Sequence, residues 1–109
     1  MSRHKGDIAE EKGCEFLVSN GYVIVERNFY AKKMGEIDII ATKNGVLHFV
    51  EVKSGDTFEP VYNITKSKIL KITKSAYLYL KAKNIDIPFC IDALIVSGNE
   101  FELIENVTL

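Results

Sequence analysis

The sequence is poor in the residues that build disulfide scaffolds, compact zinc motifs or membrane anchors. Its two cysteines, Cys14 and Cys90, lie far apart and lack the spacing of a zinc motif. This predicts two structural thiols, with neither a disulfide nor a metal ligand among them. No run approaches the roughly 18 apolar residues that a membrane-spanning helix needs. The polar start at residues 1–5 is unlike a signal peptide, and we expect a cytoplasmic protein.

What is present is the composition of an ordinary globular protein, with 47% hydrophobic and 27% charged residues. A length of 109 residues predicts a single domain over residues 1–109, with one hydrophobic core.

Charge is distributed unevenly, although the net charge is only −1. Residues 65–83 contain six lysines and no acid, whereas the rest of the chain has eight basic and fifteen acidic residues. Such a basic helix can contact phosphates, and Lys66 and Lys68 at its start are the predicted nucleic-acid contacts. The alternative is a plain solvated helix face, because the chain as a whole is slightly acidic.

Asn44 and Gly45 separate two segments, residues 35–42 and 46–53, in which apolar and polar residues alternate. Both turn residues tolerate the positive φ of a type I′ turn, so the pattern predicts a tight β-hairpin. A slip of one residue would mix apolar and polar side chains on each face, and the register is therefore fixed as well.

In this register Asp38 lies opposite Glu51, with Cα atoms roughly 4.5 Å apart in a non-hydrogen-bonded pair. Four apolar side chains are predicted to share the other face: Ile37, Ile39, Val50 and Val52. Like charges at that separation repel each other. A divalent cation removes the repulsion, because carboxylates prefer hard cations. The hairpin therefore predicts a Mg²⁺ site, with Mn²⁺ as an alternative ion.

Two further side chains, Glu10 and Lys53, are predicted to join this site, and Glu36 is predicted to tune or position Lys53. Glu10 lies on a predicted helix, about 50° from the centre of its apolar stripe, where a carboxylate needs a partner. Lys53 shares the face of Glu51, and Glu36 is predicted to face Lys53. The alternatives are a first-turn acid that stabilises the helix dipole for Glu10, and a solvated strand face for the Glu51-x-Lys53 pattern.

The remaining segments complete an α/β pattern. The predicted elements are a helix over residues 5–19, a strand over 22–29, the two hairpin strands, a loop over 54–63, a helix over about 65–83 and a strand over 89–96, with 101–105 as an optional edge strand. The order αβββαβ predicts an α/β sandwich around a mixed sheet. His48 is expected to pack on the apolar face of the hairpin without acting as a ligand, and Asp92 to be a structural acid.

The acidic pair and its neighbours resemble the signature of a nuclease superfamily. An Asp, then Glu-x-Lys on the next antiparallel strand, with a Glu on the preceding helix, is typical of the restriction-endonuclease-like PD-(D/E)XK nucleases, which include Holliday-junction resolvases. Asp38, Glu51, Lys53 and Glu10 fill these positions.

Over its full length the chain resembles the YraN family of uncharacterised, nuclease-like bacterial proteins. The most specific blocks are Gly35-Glu36-Ile37-Asp38 and Phe49-Val50-Glu51-Val52-Lys53, and further matches are Gly6, Glu10, Phe16, Leu17, Gly21, Tyr22, Asn28, Thr65 and Lys68. Two positively charged positions of the family pattern are missing, since Ser54-Gly55 and Cys90-Ile91 stand where the family often has an arginine.

The resemblance implies a restriction-endonuclease-like fold and a divalent-metal-dependent endonuclease that hydrolyses DNA, including branched or structured DNA. Asp38 and Glu51 would then bind Mg²⁺, with Glu10 as a direct or outer ligand, and Lys53 would orient water or stabilise phosphate charge. The alternative is a non-catalytic nucleic-acid-binding or protein-interaction module that keeps the fold, which the missing arginines favour. The expected partner is nucleic acid, most simply DNA, and no membrane; a homodimer is compatible with the sequence.

Overall fold

The computed structural model describes residues 5–31, 35–55 and 65–107, and these ranges contain two helices and five strands. The helices are α1 (Lys5–Ser19) and α2 (Lys66–Lys83), and the strands are β1 (Val23–Tyr30), β2 (Glu36–Lys43), β3 (Val46–Ser54), β4 (Phe89–Ser97) and β5 (Glu100–Ile104). The predicted elements are confirmed, including the edge strand. Most of the predicted loop over residues 54–63 lies outside the described residues. Within the described ranges, neither helix is long and apolar enough to span a membrane.

The five strands form one mixed sheet in the order β1-β2-β3-β4-β5. Strands β1, β2 and β3 pair antiparallel, β3 and β4 pair parallel, and β4 and β5 pair antiparallel. The parallel pair requires a crossover connection, and α2 lies in that connection. The predicted α/β sandwich with a mixed central sheet is therefore confirmed.

The hairpin between β2 and β3 forms in the predicted register. Asn44 and Gly45 have φ values of 53° and 78°, as a type I′ turn requires. Backbone pairing follows the predicted partners from the turn as far as Ile39 and Val50. Beyond that pair the two strands separate, and the next residues along them are the acids Asp38 and Glu51.

The two helices cover opposite faces of the sheet, because successive strand residues point to opposite sides. The cluster against α1 contains Ala9, Leu17, Tyr22, Ile39, Ala41, Val50, Leu94 and Val96. The cluster against α2 contains Ile37, Ile40, Leu47, Phe49, Ile72, Ala76, Tyr79 and Ile91. The sheet thus separates two apolar layers, each closed by one helix.

The prediction that Ile37 shares a face with Ile39 is wrong. Ile39 packs on the α1 side, whereas Ile37 packs in the cluster against α2. The change of face coincides with a distortion in β1, where Asn28 has a φ of 54° and the residues on either side of it pair with Ile37 and Ile39. Asn tolerates this left-handed conformation better than most residues. The distortion leaves Asp38 at the point where β2 turns over from one face to the other.

Gly13 sets how closely α1 approaches the sheet. A Cβ at this position would lie 3.0 Å from Leu94 Cδ2, which is tighter than most packing contacts. A larger residue would require the Leu94 side chain or the helix to shift. The close approach brings Glu10, one turn earlier on the same helix, down to the sheet where β2 and β3 separate.

Candidate metal centre

Carboxyl groups from α1, β2 and β3 meet where β2 and β3 separate, and Asp38 lies between the other two. Asp38 Oδ2 accepts a hydrogen bond from the Val52 backbone N–H at 2.8 Å, so its side chain replaces the missing backbone pairing. Its carboxyl group lies within interaction range of both Glu10 and Glu51. Glu51 is only 5% exposed. The predicted meeting of these three acids is what the geometry shows.

Burial and mutual repulsion raise the pKa values of these acids. Burial raises the pKa of Asp38 to about 6; the hydrogen bond from Val52 opposes this shift, and the charge of Glu10 adds to it. Burial likewise raises the pKa of Glu51 to about 7, with the charge of Asp38 acting in the same direction. Carboxyl groups with pKa values raised in this way are typical of cation-binding sites and of sites of proton transfer.

Glu36 is a fourth member of the site. The prediction placed it opposite Lys53, but Glu36 pairs with Tyr30 of β1 and its carboxylate approaches Glu10. Asn28, oriented to satisfy its side-chain amide, donates from Nδ2 to Glu36 Oε1 at 3.1 Å and to Glu10 Oε1 at 2.8 Å. Burial, together with the charge of Glu36, raises the pKa of Glu10. Asn28 thus both distorts β1 and holds two acids together.

Lys68, predicted to bind nucleic acid, also reaches the carboxylate site. Its Nζ lies 3.2 Å from Glu51 Oε1. The position depends on the start of α2, where the Thr65 side chain accepts a hydrogen bond from the Lys68 backbone N–H and caps the helix. Lys68 therefore supplies positive charge to Glu51, and its pairing lowers the pKa of Glu51 against the effect of burial.

The other two predicted lysines, Lys53 and Lys66, lie on the same elements as the two members of this pair. Lys53 follows Glu51 by two residues on β3, shares its side of the sheet and is half-buried. Lys66 is the first residue of α2 and is exposed. The structure thus brings four charged side chains together: Glu10, Asp38, Glu51 and Lys68. Lys53 lies on the same strand and the same side of the sheet as Glu51, and Lys66 lies at the surface.

The oxygen atoms of this carboxylate centre, formed by Glu10, Glu36, Asp38 and Glu51, suit a hard divalent cation. One carboxylate oxygen from each of Glu10, Glu36 and Asp38 lies within 4.8 Å of the others. Oxygen ligands of an octahedral Mg²⁺ ion, bound at about 2.1 Å, are roughly 3–4 Å apart, so small side-chain rotations complete such a set. Glu51 extends the site toward α2 through its coupling to Asp38.

Sequence reasoning missed Glu36 and Asn28 as members of the site. The available signal was Asn28 itself, because an asparagine in a strand of otherwise β-forming residues marks a candidate for positive φ. The position of Glu36 depends on that distortion, and hairpin register alone does not reveal it.

The fold and this centre define a mixed α/β protein with a carboxylate-rich site at the opening of a central hairpin. Residues 9–96 match the uncharacterised protein family UPF0102. Among its relatives, the UPF0102 protein of Wolinella succinogenes is 64% identical over 109 residues, covering 100% of both chains. That of Helicobacter hepaticus is 57% identical over 108 residues, covering 99% of this chain and 97% of the relative. That of a Sulfurovum species is 54% identical over 105 residues, covering 95% and 93%.

The chain therefore belongs to the UPF0102 family, and its predicted membership of the YraN family is confirmed. The names of these relatives describe no activity, so the proposed function rests on the geometry of the site.

Proposed function

We propose that the protein is a divalent-metal-dependent endonuclease that hydrolyses phosphodiester bonds in DNA, with branched or structured DNA as its substrate class. One observation carries the proposal: the carboxyl groups of Glu10, Asp38 and Glu51 converge beside a lysine-bearing strand, with raised pKa values for all three acids. A structural role does not explain why like charges are gathered and partly buried, since this costs stability.

Magnitudes favour a metal-dependent reaction. Hydrolysis of a phosphodiester needs on the order of 20 kcal/mol of barrier reduction. A lysine beside two carboxylates contributes a small part of this. A bound Mg²⁺ ion would supply charge stabilisation of several kcal/mol and would make a bound water molecule easier to deprotonate for attack on the phosphate. The donor set is entirely oxygen, which matches that ion.

In this proposal the residues of the chain have distinct roles. Asp38 and Glu51 hold the cation, and Glu10 completes the set directly or through water. Lys53 orients the attacking water or stabilises the charge that develops on the phosphate. Asn28 positions Glu10 through its hydrogen bond. Lys68 neutralises Glu51 before the cation binds, and after binding its ammonium group is free to contact a DNA phosphate.

The competing function is a nucleic-acid-binding module without catalysis. The ion pair between Lys68 and Glu51 favours it, because a lysine already satisfies one of the acids that a cation would need. Both functions use the basic start of α2. They differ in whether bound DNA is cut.

The test combines metal binding with cleavage. Mg²⁺ and Mn²⁺ are titrated into the protein and into Asp38→Asn by calorimetry, and supercoiled, linear and four-way DNA are then incubated with each ion. We expect cleavage that falls on the order of 100-fold or more in Glu51→Gln and in Lys53→Met. Glu102→Gln, which changes an exposed acid on β5, is the matched control and should cleave like the original protein.

Each result separates the functions. Metal binding with DNA retained on a gel but uncut supports the binding module. Equal, negligible heats in the original protein and Asp38→Asn remove the metal-dependent enzyme.

A further inference from the structure

A second polar cluster lies on the α1 side of the sheet and is not used in the proposed reaction. His48, Cys90 and Asp92 form this histidine cluster. His48 Nδ1 lies 2.7 Å from Asp92 Oδ2 and 3.1 Å from Cys90 Sγ, and Cys90 Sγ lies 3.3 Å from Asp92 Oδ1. Nitrogen, sulfur and oxygen atoms therefore converge on one small volume.

The parallel pairing of β3 and β4 creates this convergence. His48 is the direct backbone partner of Cys90. Asp92 follows Cys90 by two residues and so lies on the same face of β4. The three side chains are held by the central strands, and Asp92 is fully buried while His48 is 7% exposed. A site built on such strands is rigid.

The geometry does not suit a catalytic triad. In a triad the nucleophile and the acid contact different nitrogens of the histidine ring, so that one orients the base for the other. Here the Cys90 sulfur and the Asp92 carboxylate both contact Nδ1. Burial and the charge of Asp92 also raise the pKa of Cys90 to about 12, which keeps the thiol protonated and unreactive.

Convergence of three different donors on one point is instead the arrangement of a metal site. One atom of each residue lies within 4.8 Å of the other two. Zinc binds thiolate sulfur at about 2.3 Å and imidazole nitrogen or carboxylate oxygen at about 2.0–2.2 Å, which separates its tetrahedral ligands by roughly 3.3–3.8 Å. The observed separations of 2.7–3.3 Å are shorter than these and need to open by roughly half an ångström.

We propose that His48, Cys90 and Asp92 form a binding site for a zinc-type divalent ion, separate from the carboxylate centre. The mixed nitrogen, sulfur and oxygen donors select a borderline-soft ion over Mg²⁺, which prefers oxygen alone. Binding would replace the shared hydrogen bonds with bonds to the ion: the thiol proton of Cys90 would leave to solvent, and the imidazole of His48 would carry its proton on Nε2, so that the Nδ1 lone pair is free for the ion.

The surroundings provide access to the cluster. A surface pocket of about 260 Å³ is lined by Tyr22, Lys43, Asn44, Val46, His48 and Glu105. Of the three residues of the histidine cluster, His48 is the one that lines this pocket, so the cluster is reached from solvent through His48. Glu105 contributes a carboxylate to the lining of this pocket, and Lys43 contributes an opposing positive charge.

The test uses Co²⁺ as a spectroscopic substitute for zinc, because a thiolate bound to Co²⁺ gives a charge-transfer band that oxygen ligands do not give. We expect a band that saturates at one equivalent of Co²⁺ per chain and disappears when zinc is added. Cys90→Ser should lose the band, while its hydroxyl still donates to Asp92 and preserves the fold. Cys14→Ser, which changes the cysteine on α1, is the matched control and should keep the band.

The absence of a band in the original protein, or its persistence in Cys90→Ser, would overturn the proposal. If a variant does not fold, X-ray absorption of the zinc-loaded original protein gives the answer. A sulfur atom at about 2.3 Å from zinc supports the site, and an all-oxygen and nitrogen shell contradicts it. The carboxylate centre contains no sulfur, so this result is independent of nuclease activity.

Discussion

The carboxylate centre and the histidine cluster both bury acids in the same sheet, but the surroundings of these acids differ. The acids of the carboxylate centre face other acids, whereas Asp92 of the histidine cluster faces hydrogen-bond donors. In the carboxylate centre, like charges meet, and the pKa values of Asp38 and Glu51 rise to about 6 and about 7. In the histidine cluster, Asp92 accepts hydrogen bonds from His48, from Cys90 and from the Asn106 backbone N–H.

This difference shows that burial of an acid does not by itself indicate its role. The number of hydrogen-bond donors around a buried carboxylate decides whether its charge is satisfied or strained. The histidine cluster is internally satisfied, and an ion there must displace hydrogen bonds. The carboxylate centre is electrostatically strained without an ion, and an ion there relieves the strain. The same change, aspartate to asparagine, should therefore have opposite effects on stability in the two clusters.

Asp92→Asn should give the largest effect. The amide keeps one oxygen but loses the second acceptor, so we expect a loss on the order of 2–3 kcal/mol in the free energy of unfolding. Denaturant unfolding in the presence of a chelator measures it. Asp86→Asn, at an exposed position, is the control and should leave the midpoint unchanged. An unchanged midpoint for Asp92→Asn would show that its hydrogen bonds contribute no stability.

The metal-free protein should lose stability as the pH rises. The folded-state pKa values of Asp38 and Glu51 lie above the ordinary values of 3.8 and 4.5, so the folded protein binds more protons than the unfolded chain between these limits. Their contribution to stability is complete below about pH 4 and is lost as the pH passes through about 6–7. We expect a decrease on the order of 1–2 kcal/mol between pH 5 and pH 8.

Melting curves at several pH values, with and without Mg²⁺, measure this decrease. A cation that binds the carboxylate centre should reduce it, because the ion replaces the lost protons. A Mg²⁺-independent profile would contradict binding at this centre.

Asp38→Asn should stabilise the metal-free protein at pH 8 by about 1 kcal/mol. The change removes one of the repelling charges, while the amide oxygen still accepts the hydrogen bond from Val52. Asp38→Ala is the matched variant, since it removes the same charge but also leaves the Val52 N–H without its acceptor. A lower melting temperature for Asp38→Asn in chelator would show that repulsion at this centre is negligible.

Lys68→Met should give the smallest effect. It distinguishes Lys68 from Lys66, the other lysine predicted to bind nucleic acid, by its influence on metal affinity. Without the ammonium group beside Glu51, we expect Mn²⁺ to bind a few-fold more tightly at pH 8, on the order of 1 kcal/mol or less. Lys66→Met, two residues earlier and exposed, is the control for the charge of α2 in general. Calorimetric titration of both variants measures the difference, and equal affinities would place Lys68 outside the metal centre.

Much of the fold was predictable because its signals are local. The Asn44-Gly45 turn fixes the hairpin by the φ values of two adjacent residues, and the alternation of side chains fixes its register. The angular position of Glu10 on α1 placed it correctly at the edge of the buried face. These features depend on neighbouring residues and on the periods of helix and strand.

The remainder depends on pairing between distant segments. Asn28 lies where Ile37 and Ile39 take opposite faces, and it donates hydrogen bonds to Glu36 and Glu10; both features require β1 to lie beside β2. The ion pair of Lys68 with Glu51 requires α2 to begin over the end of β3.

The sequence by itself determined the order of the elements, the central hairpin and the meeting of Asp38 with Glu51, because turn chemistry and side-chain alternation act over a few residues. Only the tertiary structure decided the membership of Glu36 and the convergence of His48, Cys90 and Asp92. The parallel register of β3 and β4 brings together residues more than 40 positions apart. That register is selected by the packing of α2 against one face and α1 against the other, which no local pattern encodes.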